Sequence, residues 1–249
     1  MSRSNTTPRS TVIERHATSE GLIQRCMEVL SEVISEKQKP TLLLPAGATP
    51  KPFYAELRHA LDTGTIDLGE AHLFQLDEIR GVPRDDPRSF QAFLQAHLLG
   101  SLKSSTTQHL IDGAAEDPDG EIHRHAAALE KFGGADLAFL GIGPNGHIAF
   151  NGPGSDRDAP ARRVRLAEST RAGMAKDFGP DELPEEGLTL GVREILQAKK
   201  IVLMATGSSK ASILKSLVQT FNDPDLPASF LAAHPNYLVL CDEQAGKHL

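Results

Sequence analysis

Apolar positions along the chain alternate between helical spacing and short uninterrupted runs. Residues 20–37 carry apolar side chains three and four positions apart, which predicts an amphipathic helix. Short apolar runs predict buried strands, and turns rich in glycine, proline or small residues follow them. The predicted strands are 41–44, 71–76, 137–140, 148–150, 200–205 and 237–241, and the predicted helices are 20–37, 51–61, 88–99, 117–132, 189–196 and 210–218.

The order of these elements indicates the fold class. Strands and helices alternate over the whole length, which predicts an α/β fold with a mostly parallel sheet and helices on both faces. No segment is typical of a long linker, so we predict a single domain over residues 13–249. Residues 1–12 are polar, and we predict that they form a flexible N-terminal tail.

Composition excludes several classes of protein. The 249 residues carry a formal net charge of −7, which disfavours a nucleic-acid or acidic-membrane binder. No apolar run approaches the roughly 18 residues of a membrane span, and the N-terminus lacks the apolar core of a secretory signal. Cys26 and Cys241 fit no metal or redox spacing, so we interpret them as reduced thiols of a cytoplasmic protein. We interpret His123 and His125, two positions apart on a predicted helix, as surface residues and predict no metal site.

A glycine-rich turn after residues 137–140 delivers a histidine, His147, ahead of the apolar run 148–150. Gly141, Gly143 and Gly146 match G-x-G-x-x-G, but a dinucleotide site needs a helix after the turn, and an apolar run with a second turn follows here. An imidazole at the mouth of a pocket can transfer protons at neutral pH. The alternative is a structural histidine that hydrogen-bonds to its own loop.

Two strand–turn–helix units are suited to binding an anion. In the first, Gly47 and Ala48 form a small-residue turn, and Thr49 is predicted to cap the helix that Pro50 begins. The second, residues 206–210, ends in a lysine, Lys210, that is unfavourable for the helix dipole unless an anion lies there. The alternative for each unit is an ordinary turn between a strand and a helix.

Two acids, Asp77 and Glu78, follow the predicted strand 71–76 directly. Open α/β sheets bind ligands at the carboxyl ends of their strands, although a solvated loop start would give the same pattern. Arg171 is a further candidate cation. An acid, an imidazole at His147 and an anion site together favour proton-transfer chemistry on a sugar phosphate.

At this point the sequence resembles a known family, that of glucosamine-6-phosphate deaminase (isomerase) and 6-phosphogluconolactonase. The resemblance spans residues 42–243, is closer to the deaminase branch and implies a Rossmann-like fold. The motifs that carry it, in family order, are LPAGATP, LDEIRGVPRDDPRSF, LGIGPNGHIAFNGPGS, GLTLGV, TGSSKA, PASFLAAHP and CDE.

The resemblance also implies catalytic roles. Asp77 would move a proton between C2 and C1 of the sugar during enolisation, beside Glu78. His147 would assist opening of the pyranose ring, with Asn145 at a position that is usually Asp in the family. The opened sugar would lose its 2-amino group as ammonia and leave a ketose phosphate.

The phosphate-binding residues are likewise implied by the resemblance. They would be Gly47 and Ala48 of the first turn, with Thr49, Arg171, Ser209 and Lys210. The expected partner is a small sugar phosphate, with neither a metal nor an organic cofactor. The sequence leaves the formation of homo-oligomers open.

Three positions depart from the family pattern. The ring-opening carboxylate of FNEPGS is replaced by Gly152, the tyrosine after Asp-Glu by Ile79, and the second glycine of the phosphate loop by Ala48. Asp156 or Asp158 is a candidate to replace the missing carboxylate. Three hypotheses therefore stay open: an amino-sugar phosphate deaminase or isomerase, a 6-phosphogluconolactonase-type hydrolase, and a non-catalytic sugar-phosphate sensor.

Overall fold

The computed structural model of the protein describes residues 11–249, so residues 1–10 of the predicted tail lie outside the described part. Val12, predicted as the end of that tail, is the first residue of a strand. The strands are β1 Val12–His16, β2 Thr41–Leu44, β3 His72–Gln75, β4 Asp77–Ile79, β5 Thr107–His109, β6 Leu137–Gly141, β7 Arg162–Arg165, β8 Glu186–Thr189, β9 Lys200–Ala205 and β10 Tyr237–Asp242. The α-helices are α1 Ser19–Glu36, α2 Lys51–Asp62, α3 Phe90–His97, α4 Pro118–Lys131, α5 Glu168–Gly173, α6 Ala175–Phe178, α7 Val192–Leu196 and α8 Ala211–Gln219.

Seven strands form one sheet in the order β1-β10-β9-β6-β2-β3-β5, with every neighbouring pair parallel. Alternate side chains of β6 enter different cores: Leu137 and Phe139 pack with α1, α2 and α3, whereas Ala138 and Leu140 pack with α4, α7 and α8. Helices therefore cover both faces of the sheet, and the predicted Rossmann-like α/β fold is confirmed.

A second sheet of three antiparallel strands, in the order β4-β8-β7, was not predicted from the sequence. Asp77 and Glu78, which follow the predicted strand 71–76 directly, lie within β4 and are buried. Thr189, predicted to begin a helix, ends β8 and pairs with Asp77, and the helix starts at Val192. β4 pairs with residues of β8 that are more than 100 positions away, so no local periodicity reveals this pairing.

The predicted strand 148–150 is wrong. Ala149 has a φ of 48°, which ends any extended backbone, and Ile148 forms an isolated bridge with Asn151 across the resulting turn. Ile148 and Phe150 are nevertheless buried. A short apolar run thus indicates that its residues are buried, and buried residues can lie in a tight turn as well as in a strand.

Two local predictions are also corrected. Thr49 does not cap α2: Pro50 occupies the capping position and the helix begins at Lys51 without a side-chain cap. His125, predicted at the surface, is completely buried, and its Nε2 hydrogen-bonds to the carbonyl of Gln75 at 2.8 Å. Within residues 11–249, no helix has the length and apolar character to cross a membrane.

Candidate active site

A cavity of about 540 Å³ opens where the carboxyl ends of β2, β6 and β9 meet. Parallel strands bring their carboxyl ends to one edge of a sheet, which is where open α/β sheets bind ligands. Of the predicted site residues, the cavity is lined by Gly47, Ala48, Thr49, Asp77, His147, Ser209 and Lys210. Three other predicted residues, Glu78, Asn145 and Arg171, are not among its lining residues.

The turn after β2 presents backbone to the cavity. Gly47 has a φ of 101°, a conformation that side chains rarely adopt and that lets the chain reverse ahead of α2. The hydroxyl of Tyr54, on the first turns of α2, donates to the carbonyl of Pro45 at 2.6 Å. Tyr54 is fully buried, so it anchors the turn from behind the cavity.

The turn after β9 supplies a cation. The Nζ of Lys210 donates to the carbonyl of Ile142 at 2.6 Å, and burial lowers the pKa of this ammonium group. Both carboxylate oxygens of Asp242, at the end of β10, accept from the N–H of Gly207 at 3.1 and 2.9 Å and fix the turn. Lys210 has donors to spare for an anion in the cavity.

Asp77 is the acid that faces the cavity. Its residue is 6% exposed, and no hydrogen bond from the described residues stabilises its ionised form. Burial, and then the neighbouring charge of Glu78, raises the pKa of the Asp77 carboxyl to about 8. A carboxyl that titrates near neutral pH beside a cavity is suited to exchange protons with a ligand.

Glu78 points away from the cavity and is saturated with donors. Its Oε1 accepts from the backbone of Ile79 at 2.8 Å and of Phe90 at 2.9 Å. Its Oε2 accepts from the backbone of Gln91 at 2.7 Å and from the Nε2 of Gln75 at 2.9 Å. Burial raises the pKa of Glu78, and these four hydrogen bonds oppose the rise.

The orientation of His147 is set by Asn145. The Oδ1 of Asn145 accepts from the backbone N–H of His147 at 3.3 Å, and the Nδ1 of the imidazole lies 2.6 Å from the same oxygen. Because the backbone group can only donate, this oxygen is an acceptor and the hydrogen-bond network assigns the proton to Nδ1. The Nε2 of His147 is then the ring's acceptor.

Electrostatics keep His147 neutral. Burial, and then the charge of Lys210, lowers the pKa of His147 to about 4. A side chain at Gly143 would collide with the imidazole ring, so glycine is required where the ring lies against the backbone. Gly146 turns the chain with a φ of 79°. The G-x-G-x-x-G match thus forms a histidine-presenting turn, and no helix follows it.

The segment around α5 covers one side of the cavity. Ser169 and Thr170 line the cavity, and the Oγ of Ser169 accepts from the Nδ2 of Asn145 at 2.9 Å. The Oγ1 of Thr170 lies 3.4 Å from the Nδ1 of His147. Arg171 points elsewhere, with a buried Nε that has no partner among the described residues.

Gly152 borders a second cavity of about 640 Å³, which shares His147 and Phe150 with the first. A Cβ at position 152 would meet nothing closer than the Cβ of Ala167 at 3.9 Å. Asp156 lines this second cavity, but its Oδ1 accepts from the backbone of Asp158. Within residues 11–249, neither candidate acid hydrogen-bonds to His147.

Sequence reasoning missed Tyr54 and Gln75, whose side chains support the site from outside the cavity. Nothing in the local pattern marks them, because each acts through a carbonyl that only the fold brings near. In the described part of the chain, no group of three or more His, Cys, Asp or Glu side chains could hold a metal ion.

Known proteins resemble this chain in sequence and in fold. The family described as glucosamine-6-phosphate isomerases/6-phosphogluconolactonase matches residues 14–240. A glucosamine-6-phosphate deaminase from Bacillus velezensis is 35% identical over 229 residues, which are 91% of this chain and 95% of that protein. A solved monomeric glucosamine-6-phosphate deaminase superposes with a TM-score of 0.91 at 31% identity, covering 96% of this chain and all of that one (100%). The 6-phosphogluconolactonase from Leishmania guyanensis shares the fold, with a TM-score of 0.76 at 20% identity over 97% of this chain and 99% of that one.

Proposed function

The chain belongs to the family of glucosamine-6-phosphate isomerases and 6-phosphogluconolactonases, and we propose that it is a glucosamine-6-phosphate deaminase. The observation that carries the proposal is the placement of Asp77 in one cavity with His147 and Lys210. A carboxyl without hydrogen-bond partners serves a proton transfer, since a structural carboxyl would be saturated as Glu78 is.

The phosphate group would bind at the turns that follow β2 and β9. Gly47, Ala48 and Thr49 offer backbone groups and a hydroxyl, whereas Ser209 and Lys210 offer a hydroxyl and a charge. The resemblance implies the same role for Arg171, but its side chain does not line the cavity. Its participation would require a different conformation of α5.

His147 would open the sugar ring. Its neutral Nε2 accepts the proton of the anomeric hydroxyl while the bond between C1 and the ring oxygen breaks, and the imidazolium then gives this proton to the ring oxygen. Asn145 holds the imidazole in the tautomer that this step needs. With Gly152 in place of a carboxylate, the Nδ1 of the imidazolium formed in this step faces two neutral groups, the amide of Asn145 and the hydroxyl of Thr170.

Asp77 would act on the opened sugar. Its carboxylate takes the proton from C2 while the oxygen on C1 gains a proton from the 2-ammonium group, and returning the first proton to C1 leaves an imine at C2. Water then adds to C2 and the nitrogen leaves as ammonia, which gives the ketose phosphate. A protonated amino group beside Asp77 favours the ionised form of this carboxyl, which offsets the rise in its pKa that burial causes.

One observation favours a second candidate, a 6-phosphogluconolactonase. A neutral imidazole with a free Nε2 is equally suited to activate a water molecule for attack on a lactone. In that reaction Asp77 would have no proton to transfer, so the two candidates differ in their dependence on this residue.

A side-by-side assay tests the proposal. Ammonia release is measured from glucosamine-6-phosphate and galactosamine-6-phosphate, and acid release from 6-phosphogluconolactone, for the wild-type chain, Asp77→Asn and His147→Gln. We expect ammonia from a hexosamine phosphate and its loss in Asp77→Asn. Lactone hydrolysis that persists in Asp77→Asn would establish the second candidate, and sugar-phosphate binding without any turnover would establish a sensor.

A further inference from the structure

Glu78 lies beside the proposed base yet takes no part in lining the cavity. The residue is 1% exposed, and its carboxylate accepts four hydrogen bonds with donor–acceptor distances of 2.9 Å or less. The four donors favour the ionised form of Glu78 and oppose the rise in its pKa that burial causes. They also occupy its four lone-pair sites, so none is left for a ligand. Its role must be sought in what it connects.

The donors come from three different elements. The backbone of Ile79 belongs to β4, and the side chain of Gln75 comes from the end of β3. The backbone groups of Phe90 and Gln91 are the first two N–H groups of α3, which have no partner within a helix. Glu78 therefore fastens the N-terminus of α3 to the strand that carries Asp77.

Both ends of this connection belong to the cavity. Phe90 lines it and packs on Phe150, with ring centroids 5.5 Å apart, and Phe150 also lines it. Gln75 donates to the carbonyl of Asp77 at 2.8 Å while its Oε1 accepts from the backbone of Ile111 at 3.1 Å. One buried polar network thus fixes the position of Asp77 and the position of Phe90.

We propose that Glu78 is a positioning residue for the deaminase reaction, which aligns Asp77 and Phe90 by joining β4 to α3 and acts on Asp77 through its fixed negative charge. The proposal rests on the function proposed above. The titratable and charged groups around Asp77 are Glu78 on its own strand, Tyr54 on α2, and His147 and Lys210 across the cavity. Of these, only Glu78 adds to burial in raising the pKa of Asp77.

The test compares Glu78→Gln with Ser89→Ala. Glutamine removes the charge and turns an NH₂ group toward one of the helix donors. Ser89→Ala removes the other cap of the same helix, the hydrogen bond from Ala92 at 2.9 Å, and leaves Glu78 intact. We expect Glu78→Gln to lower kcat by about 10²-fold with little change in KM, because misplacing a reacting group by about 1 Å has that effect.

The pH profile separates alignment from stability. Since Asp77 must be ionised to act as a base, the acid limb of kcat/KM follows its pKa, and Glu78→Gln should move that limb about one unit toward lower pH. Ser89→Ala should leave the limb in place. A limb that stays unchanged in Glu78→Gln, or that moves equally in both variants, would overturn the proposal.

Two further measurements keep the result decisive. Titration of the Asp77 carboxyl by ¹³C NMR in the wild-type chain and Glu78→Gln needs no turnover, so absence of ammonia release defeats the proposed function while the titration still decides the role of Glu78. Should Glu78→Gln fail to fold, Glu78→Asp retains the charge on a shorter side chain. It should lower kcat at least tenfold without moving the acid limb, and an unchanged kcat would contradict the proposal.

Discussion

The cavity has two sides that are built differently. The anion side, formed by Gly47, Ala48, Thr49, Ser209 and Lys210, lies on turns that follow parallel strands of the large sheet. The proton-transfer side, formed by Asp77, His147 and Thr170, joins the small antiparallel sheet to the turn after β6 and to α5. One side presents backbone and a cation, and the other presents groups whose pKa values are displaced toward neutral forms.

The two sides of the cavity are therefore suited to different tasks, phosphate binding and proton transfer. Phosphate carries its charge throughout a reaction, so turns and a lysine that are fixed before binding suit it. Proton transfer needs groups that change protonation, and burial without a permanent partner provides them at Asp77. We therefore expect substitutions on the two sides to affect different kinetic constants.

The largest effect is expected from Asp77→Asn. The amide has the shape of the acid but cannot take a proton from carbon, so kcat for ammonia release should fall by about 10²–10⁴-fold. KM should change little, because the anion side is intact. Steady-state kinetics on glucosamine-6-phosphate measure both constants.

Asp85→Asn is the matched control, since Asp85 is exposed on the loop between β4 and α3. It should behave as the wild-type chain does. An Asp77→Asn variant that retains full kcat would remove Asp77 from the chemistry and break the division between the two sides.

A smaller effect, on KM, is expected from Lys210→Met. Methionine keeps much of the apolar stem but removes the charge-assisted hydrogen bonds to a phosphate, so KM should rise about 10–100-fold while kcat falls less. Lys215→Met controls for the loss of net charge, since Lys215 is an exposed lysine on α8, the helix that follows Lys210. Equal losses of kcat in Lys210→Met and Asp77→Asn would contradict the comparison.

The two sides also differ in how far the sequence predicts them. Strand, small-residue turn and helix follow one another locally around Gly47 and Lys210, and the parallel sheet that places them together follows from the alternation of elements. Asp77 and His147 were identified by their places after apolar runs. The pairing of Asp77 with Thr189, by contrast, depends on a sheet whose strands are far apart in sequence.

The other differences between the predicted and the observed structure concern buried polar residues. Glu78 and Asp77 are adjacent acids in one strand, and nothing in the local pattern tells which of them meets four donors and which meets the cavity. His125 is predicted at the surface because it and His123, two positions apart on a helix, point to different faces, but the β3 carbonyl of Gln75 provides a buried partner. Burial of polar groups depends on tertiary partners, which periodicity does not encode.

Gly152→Glu is expected to increase kcat by a change on the proton-transfer side. The space at Gly152 is open, so a glutamate can extend toward the cavity that borders His147. Its carboxylate should raise the pKa of His147 from about 4 toward the ordinary range and increase kcat about tenfold. The pH at which the His147 imidazole titrates, measured by NMR, would then be higher than in the wild-type chain.

Gly152→Gln controls for size, since it fills the same space without a charge. It should leave the pKa of His147 unchanged and give no gain in kcat. A gain of equal size in both variants would show that packing, and not charge, limits the reaction at His147.

The smallest effect concerns stability and its dependence on pH. Because the pKa of Asp77 is about 8 in the folded chain and near the ordinary aspartate value of about 4 when unfolded, the folded state binds the extra proton between those limits. The stability that this proton contributes is fully present below pH of about 4 and is lost as pH rises through 8. Asp77→Asn removes this loss, so its free energy of unfolding relative to the wild-type chain should be about 1 kcal/mol higher at pH 8 than at pH 7. Urea denaturation at both pH values in phosphate-free buffer measures the difference, since bound phosphate would stabilise the anion side. A difference that is the same at both pH values would show that Asp77 does not titrate in this range, and the proton-transfer side would then lose the property that distinguishes it from the anion side.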